Sequence, residues 1–148
     1  MSRIITLIVV HCSASRCNQR YTVEMLRKDH NARFHHQGVG YHYYIERDGQ
    51  LYQTRSEDEV GIHARGYNAN SIGICYEGGL DENGKTADTR TPAQKAALIA
   101  LLRSLKVDYP DAEIKGHREL KGVHKDCPCF SCQEYRDYFA QLLGQAPK

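Results

Sequence analysis

At 148 residues the chain has the length of one domain, and we expect a single domain over residues 1–148. Twenty lysines and arginines face 18 acidic residues, so the formal charge is only +2. Because no long basic run offers a phosphate-binding surface, we expect no nucleic-acid partner. The apolar run from Ile4 to Val10 is too short for a membrane span and no cleavage pattern follows it, so we expect cytoplasmic synthesis without a signal peptide or membrane anchor.

The first predicted elements are a strand and a helix. Residues 5–12 are apolar and rich in β-branched side chains, which predicts a buried strand. Thr22 is a predicted N-cap for a helix over residues 23–36 that stops near Gly38. Three histidines on this predicted helix are assigned to its surface: His30, His35 and His36.

A hairpin and a fourth strand follow. Asp48 and Gly49 stand between two β-rich runs, which is a strong sequence signal for a β-hairpin made of the second and third strands. After a polar, glycine-containing loop, the sequence "SIGICYEGG" (residues 71–79) predicts the fourth strand.

The second half adds two helices and a fifth strand. Thr91, Pro92 and Gln94 form a predicted capping box with proline at the first helical position, for a helix over about residues 92–107. Residues 112–117 predict a short strand, and apolar residues at helical spacing predict a last helix over residues 133–144. Helices between strands, plus one hairpin, predict an α/β fold in which helices flank a central mixed sheet of about five strands.

Three candidate metal ligands lie at the ends of predicted strands or in the loop that follows. His11 ends the first strand, His117 ends the fifth, and Cys127 comes ten residues later. Two imidazoles and one thiolate suit a zinc site with three protein ligands, whose fourth tetrahedral position stays open for water. The alternative is that these are hydrogen-bonded strand-end residues and a loop thiol, and spacing alone does not decide between the two interpretations.

Several motifs occur in the order found in one enzyme family. They are "HCSAS" after an apolar strand, "VGYHYYIERDG", "GIHARGYNANSIGIC", "TPAQ" before a helix, and "GHRE" followed by "KDCP". In this order the chain resembles type 2 N-acetylmuramoyl-L-alanine amidases, especially the amidase-type lysozymes of T-odd bacteriophages, which are related to the peptidoglycan recognition proteins. The resemblance covers about residues 4–140.

The resemblance implies a zinc amidase that hydrolyses the amide between N-acetylmuramic acid and L-alanine of the peptidoglycan stem peptide. It implies that His11, His117 and Cys127 bind one zinc ion per chain, that Tyr41 lies beside the metal, and that Lys125 is the second catalytic group. Zinc can lower the pKa of bound water towards about 7 and polarise a carbonyl. A lysine ammonium can stabilise the oxyanion that forms, and a tyrosine hydroxyl can hydrogen-bond the water or the carbonyl.

Other polar residues have weaker assignments. The resemblance places the loop with His63 along the substrate groove, although a structural loop histidine is an equal alternative. Asn70 is a candidate for substrate binding or for capping a turn. His42 follows Tyr41 on a predicted strand, so it points to the opposite face and is assigned to packing.

The segment "CPCFSC" departs from the family pattern, because Cys129 and Cys132 form an additional C-x-x-C pair. The pair is compatible with a redox function or with half of a structural zinc site completed by Cys12 and Cys17. In the longer loop after His117, His124 is a competing ligand.

The resemblance makes peptidoglycan the expected partner of a monomeric enzyme that acts on the cell wall after phage-assisted or other export. Two alternatives remain open: a non-catalytic peptidoglycan-binding module, against which Cys127 argues, and a thiol oxidoreductase built on the C-x-x-C pair.

Overall fold

One mixed five-stranded sheet organises the protein, and the computed structural model describes residues 3–142 and 144. In spatial order its strands are β4 (Leu51–Gln53), β3 (Tyr43–Ile45), β5 (Ser71–Tyr76), β1 (Leu7–Cys12) and β7 (Glu113–Gly116). The hairpin partners β3 and β4 are antiparallel, and the other neighbours are parallel. All five predicted strands are present. A second sheet pairs β2 (Ser15–Arg16) with β6 (Gly79–Leu80) and was not predicted.

In the described part of the chain three α-helices flank the sheet, and this confirms the predicted α/β class. They are α1 (Val23–Arg33), α2 (Pro92–Asp108) and α3 (Gln133–Leu142). The predicted caps are present, since the Thr22 hydroxyl accepts from the Met25 amide and α2 begins with a full capping box. The prediction for α3 extends over residue 143, which lies outside the described residues. Within residues 3–142, no helix is both long and apolar enough to cross a membrane.

The prediction for the end of α1 is wrong. The helix ends at Arg33, and both His35 (φ 54°) and His36 (φ 63°) adopt the left-handed conformation, which a continuing helix excludes. His30 is also not a surface residue, because its side chain is 5% exposed and its Nδ1 atom accepts a hydrogen bond from the Gly40 amide. The chain therefore leaves the helix one turn early and folds back over His30.

Alternation along β1 divides the core between the two faces of the sheet. Ile8 and Val10 point towards α2 and α3, where they join the largest apolar cluster. Leu7 and Val9 point to the face that also carries α1, and they pack against Ala64. Because β1 has neighbours on both edges and is covered on both faces, each of its residues is buried. His11 lies on the same face as Leu7 and Val9, so β1 places a histidine at the end of the α1 face.

Candidate metal centre and catalytic cavity

The carboxyl ends of two neighbouring parallel strands bring the two candidate histidines together. Val10 of β1 pairs with Gly116 of β7, and the next residue on each strand is His11 or His117. The two imidazole ring centroids are 4.5 Å apart. His117 opens a short 3₁₀ helix, His117–Glu119, and the Glu119 carboxylate accepts from the Gly116 amide at 2.8 Å. The strand register therefore fixes both backbones before any metal binds.

The loop after this 3₁₀ helix carries Cys127 back to the end of β1. The Arg118 amide donates to the Cys127 carbonyl at 2.7 Å, and the Cys12 amide donates to the Cys127 Sγ atom at 3.1 Å. A Cβ atom on Gly116 would lie 2.7 Å from Cδ of Pro128, so the glycine of "GHRE" makes room for the proline that follows Cys127. These contacts hold the thiol against the two imidazoles.

The donor set suits a zinc ion. The ligand atoms of His11, His117 and Cys127 all lie within 4.8 Å of one another, and no other such group of three or more metal-binding side chains occurs in the described part of the chain. Donor atoms around tetrahedral zinc stand roughly 3.3–3.8 Å apart, so a small side-chain adjustment is enough for coordination. Imidazole nitrogen and thiolate sulfur are donor types that zinc prefers. The residues present therefore fit the group that the sequence predicts.

His63 contacts one of these candidate ligands directly. Its Nδ1 atom lies 2.9 Å from Nε2 of His11, and its Nε2 atom lies 3.1 Å from the Ser71 hydroxyl. The ring rests on the backbone of β5, where a Cβ atom on Gly73 would lie 2.7 Å from three ring atoms. The predicted loop histidine therefore contacts His11 and also lines the cavity beside the candidate ligands.

Burial keeps the histidines of the centre neutral. It lowers the pKa of His11 well below 6.5, and the charges of His63, His117 and Lys125 lower it further. Burial and then Lys125 lower the pKa of His117, and burial lowers the pKa of His63 to about 3. Neutral imidazole is the form that binds metals, so the site needs no loss of a proton from these histidines at neutral pH.

Tyr41 and Lys125 line the same cavity as the metal-ligand candidates. The cavity has a volume of about 590 Å³, and no aspartate or glutamate of the described residues lines it. The Tyr41 ring is 5.0 Å from the His11 ring, and burial raises the Tyr41 pKa well above 10. The phenol therefore stays protonated at neutral pH and is available as a hydrogen-bond donor. His30, which the sequence analysis placed on the surface, also lines this cavity, 5.4 Å from the Tyr41 ring.

Asn70 is not brought to this cavity. Its side-chain amide donates to the Thr6 hydroxyl at 2.8 Å, and it lines a separate depression of about 340 Å³. Asn68 lines the cavity instead, and its Oδ1 atom accepts from the amides of His63 and Ala64, both at 2.9 Å. Asn68 was not predicted as a site residue, although it lies in the same "GYNANS" segment.

Two other histidines were assigned from the sequence, His42 to packing and His124 as a competing ligand. His42 is fully buried, and its Nδ1 atom accepts from the Gly73 amide at 3.0 Å, as a packing role requires. His124 is exposed and is not a member of the metal-ligand group, which contains His117.

The additional cysteines do not form a pair with each other. Cys132 is fully buried in the main core, whereas the Cys129 Sγ atom lies 3.9 Å from Sγ of Cys12. All six cysteines are free thiols. Burial raises the pKa of both Cys132 and Cys129 to about 12, which disfavours the thiolate that disulfide exchange needs. Neither the oxidoreductase nor the structural-zinc hypothesis gains support from this arrangement.

The sheet order, the strand-end centre and the flanking helices define an amidase-like α/β domain that occurs in several known proteins. The amidase LysC from Clostridium intestinale URNW has a TM-score of 0.75 at 30% identity, covering 97% of this chain and 88% of that chain. PGRP-SA of Apis mellifera has a TM-score of 0.73 at 21% identity, covering 90% of this chain and 82% of that chain, which shows a shared fold alone.

The sequence comparisons identify the family. The model of the N-acetylmuramoyl-L-alanine amidase family matches residues 1–130. The endolysin of Escherichia phage T7 is 42% identical over 131 residues, covering 86% of this chain and 83% of that protein. The chain belongs to the N-acetylmuramoyl-L-alanine amidase family, and the resemblance predicted from its motifs is confirmed. At the level of the family, the predicted enzyme class, a peptidoglycan amidase, is confirmed as well.

Proposed function

We propose that the protein is a zinc-dependent amidase that hydrolyses the bond between the lactyl carbonyl of N-acetylmuramic acid and the nitrogen of L-alanine in the stem peptide. The observation that carries the proposal is the grouping of His11, His117 and Cys127 within 4.8 Å, in one cavity with Tyr41 and Lys125. A module that only binds peptidoglycan needs no such ligand set. The cysteine ligand therefore favours catalysis over binding alone.

The two imidazoles and the thiolate would hold one zinc ion per chain. When bound, zinc supplies Lewis acidity to the scissile carbonyl and lowers the pKa of a water molecule at the open coordination position. The protein contributes a fixed geometry, because both histidines follow from strand register and Cys127 is tied to the backbone of β1. Removal of Cys127 would leave two protein ligands, which is fewer than catalytic zinc sites use.

Lys125 and Tyr41 are the two proposed catalytic residues, and the first is exposed whereas the second is half-buried. Lys125 is an exposed residue of the loop that carries Cys127, and its ammonium group is close enough to lower the pKa of both His11 and His117. A positive charge so placed stabilises the negative oxygen that forms when the carbonyl is attacked. The half-buried Tyr41 hydrogen-bonds the attacking water or the carbonyl oxygen and relays a proton from that water to the departing alanine nitrogen, so that the products are a carboxylic acid and a free amine.

The charges around the cavity suit an acidic peptide. Arg33 and Arg65 line it together with Lys125, and neither arginine forms an ion pair with a carboxylate of the described residues. Stem peptides of peptidoglycan carry free carboxylates, so these cations favour substrate entry. The size of the cavity, about 590 Å³, accommodates a muramyl peptide fragment rather than a whole glycan strand. We propose that the enzyme acts on the cell wall as a monomer, with His63 below the substrate and Asn70 outside this cavity.

The bond that is cut tests this proposal. Purified enzyme with N-acetylmuramoyl-pentapeptide should release two products that mass spectrometry can identify: the pentapeptide with a free alanine amine, and N-acetylmuramic acid with a free lactyl carboxylate. The matched control is the same peptide without the muramic acid, which should remain intact. Cleavage inside the peptide, or no turnover of either compound, would contradict the assignment.

A further inference from the structure

We propose that His63 is a positioning residue for the zinc ligand His11, and that it selects the ring tautomer of His11 that binds the metal. The inference rests on the proposed zinc site and goes beyond it, because His63 belongs to neither the ligand set nor the catalytic pair. It gives this cavity-lining histidine a role other than the substrate contact that the resemblance implies.

The contact between the two rings leaves only one consistent set of donors and acceptors for a metal-bound state. Nε2 of His11 faces Nδ1 of His63 at 2.9 Å, so the other ring nitrogen of His11, Nδ1, remains for the metal. A neutral imidazole that binds metal through Nδ1 carries its hydrogen on Nε2. Nε2 of His11 therefore donates, and Nδ1 of His63 accepts. In the reverse arrangement the hydrogen of His11 would be on the metal-binding nitrogen.

The next contact fixes His63 in the required tautomer. A neutral His63 that accepts at Nδ1 carries its hydrogen on Nε2, and the Ser71 hydroxyl lies 3.1 Å from that atom as an acceptor. Ser71 is fully buried at the start of β5, so water does not compete for this bond. A chain of two hydrogen bonds thus runs from the ligand His11 through His63 to Ser71. Such outer-shell partners orient metal-ligating histidines and raise their basicity.

The backbone around His63 is built to hold the ring in this place. The Asn68 carboxamide oxygen accepts from the His63 amide at 2.9 Å and fixes the loop. Gly73 lies below the ring, and Gly61 lies beside it, where a Cβ atom would be 2.8 Å from His63 Cδ2. The ring is perpendicular to that of His11, with an interplanar angle of 86°, which is compatible with a hydrogen bond between the edges of the two rings. The loop before β5 and the strand itself therefore form one slot for a single imidazole.

A matched pair of variants separates positioning from space filling. His63→Asn and His63→Leu introduce side chains of similar size, but only asparagine retains an acceptor near the position of Nδ1. We expect His63→Leu to weaken zinc affinity by about 10–100-fold, and His63→Asn to recover most of it. Zinc affinity is measured by competition with a chromophoric chelator, and the visible spectrum of the Co²⁺-substituted protein reports the ligand geometry. His124→Ala, which removes an exposed histidine outside the cavity lining, should leave both measurements unchanged.

Kinetics at saturating zinc distinguish this role from substrate binding. If His63 positions His11, the leucine variant should recover much of its kcat in excess zinc while KM stays within about twofold of wild type. A raised KM with unchanged zinc affinity would overturn the inference and return His63 to the substrate site. Equal zinc affinities for the asparagine and leucine variants would also overturn it, because the ring would then serve only to fill space. Since zinc affinity needs no substrate, this result is independent of whether the proposed amidase reaction is observed.

Discussion

Replacing Cys127 with serine should remove zinc binding and amidase activity together. The thiolate is one of the three proposed protein ligands, and a serine hydroxyl stays protonated at neutral pH and is a poor zinc ligand. Loss of an outer-shell partner already costs about 10–100-fold in metal affinity, so loss of a direct ligand should cost more than that. We expect less than one tenth of a zinc ion per chain after gel filtration, and no measurable release of stem peptide.

The control for this variant is Cys17→Ser, which changes a thiol outside the cavity lining and the metal-ligand group. It should retain wild-type zinc content and activity. Circular dichroism must show that Cys127→Ser is folded, which we expect because the strands that position the site do not depend on the thiol. A folded Cys127→Ser protein that still holds one zinc ion would remove this residue from the ligand set.

Replacing Lys125 with alanine should separate catalysis from metal binding. The ammonium group is not a candidate ligand, so zinc content should stay at one ion per chain, while kcat should fall by about 100–1,000-fold, the usual effect of removing one oxyanion donor. Because the Lys125 ammonium is a positive charge near His11 and His117 that also repels a metal cation, its removal should strengthen zinc binding slightly rather than weaken it. The measurements are zinc content by mass spectrometry and steady-state kinetics on a muramyl peptide.

Lys121→Ala provides the matched loss of charge, because Lys121 is exposed on the same loop but lines the separate depression. It should retain activity within about twofold, as most surface substitutions do. If Lys125→Ala and Lys121→Ala turn over equally fast, Lys125 has no part in the reaction. A joint loss of zinc and activity in Lys125→Ala would assign the residue to the structure of the ligand loop.

Much of the fold could be predicted because its signals are local. The Asp48-Gly49 hairpin, the Thr22 cap and the capping box at Thr91 each depend on residues within a few positions of one another. The end of α1 could not be predicted in this way. No strong stop signal precedes Gly38 in the sequence. The early end at Arg33 is accompanied by tertiary contacts, including the hydrogen bond that the Gly40 amide donates to Nδ1 of His30.

The same distinction between local signals and tertiary contacts applies to the candidate site. The positions of His11 and His117 at strand ends could be predicted from sequence, whereas their pairing rested on the family resemblance, because spacing alone does not show that β1 and β7 are neighbours. The position of His63 could not, because it depends on the absence of a side chain at Gly73, on a strand that begins eight residues after His63. Asn68 rather than Asn70 lines the cavity, and this too depends on the folded backbone. A single 3₁₀ turn at Asn68–Asn70 directs the two side-chain amides to different sides.

Metal removal and restoration test the central claim most directly. The purified protein should contain one zinc ion per chain, lose stem-peptide release after exhaustive dialysis against a chelator, and regain it when one equivalent of Zn²⁺ is added. Full activity in a protein shown to contain no metal would contradict a zinc-dependent amidase built on His11, His117 and Cys127.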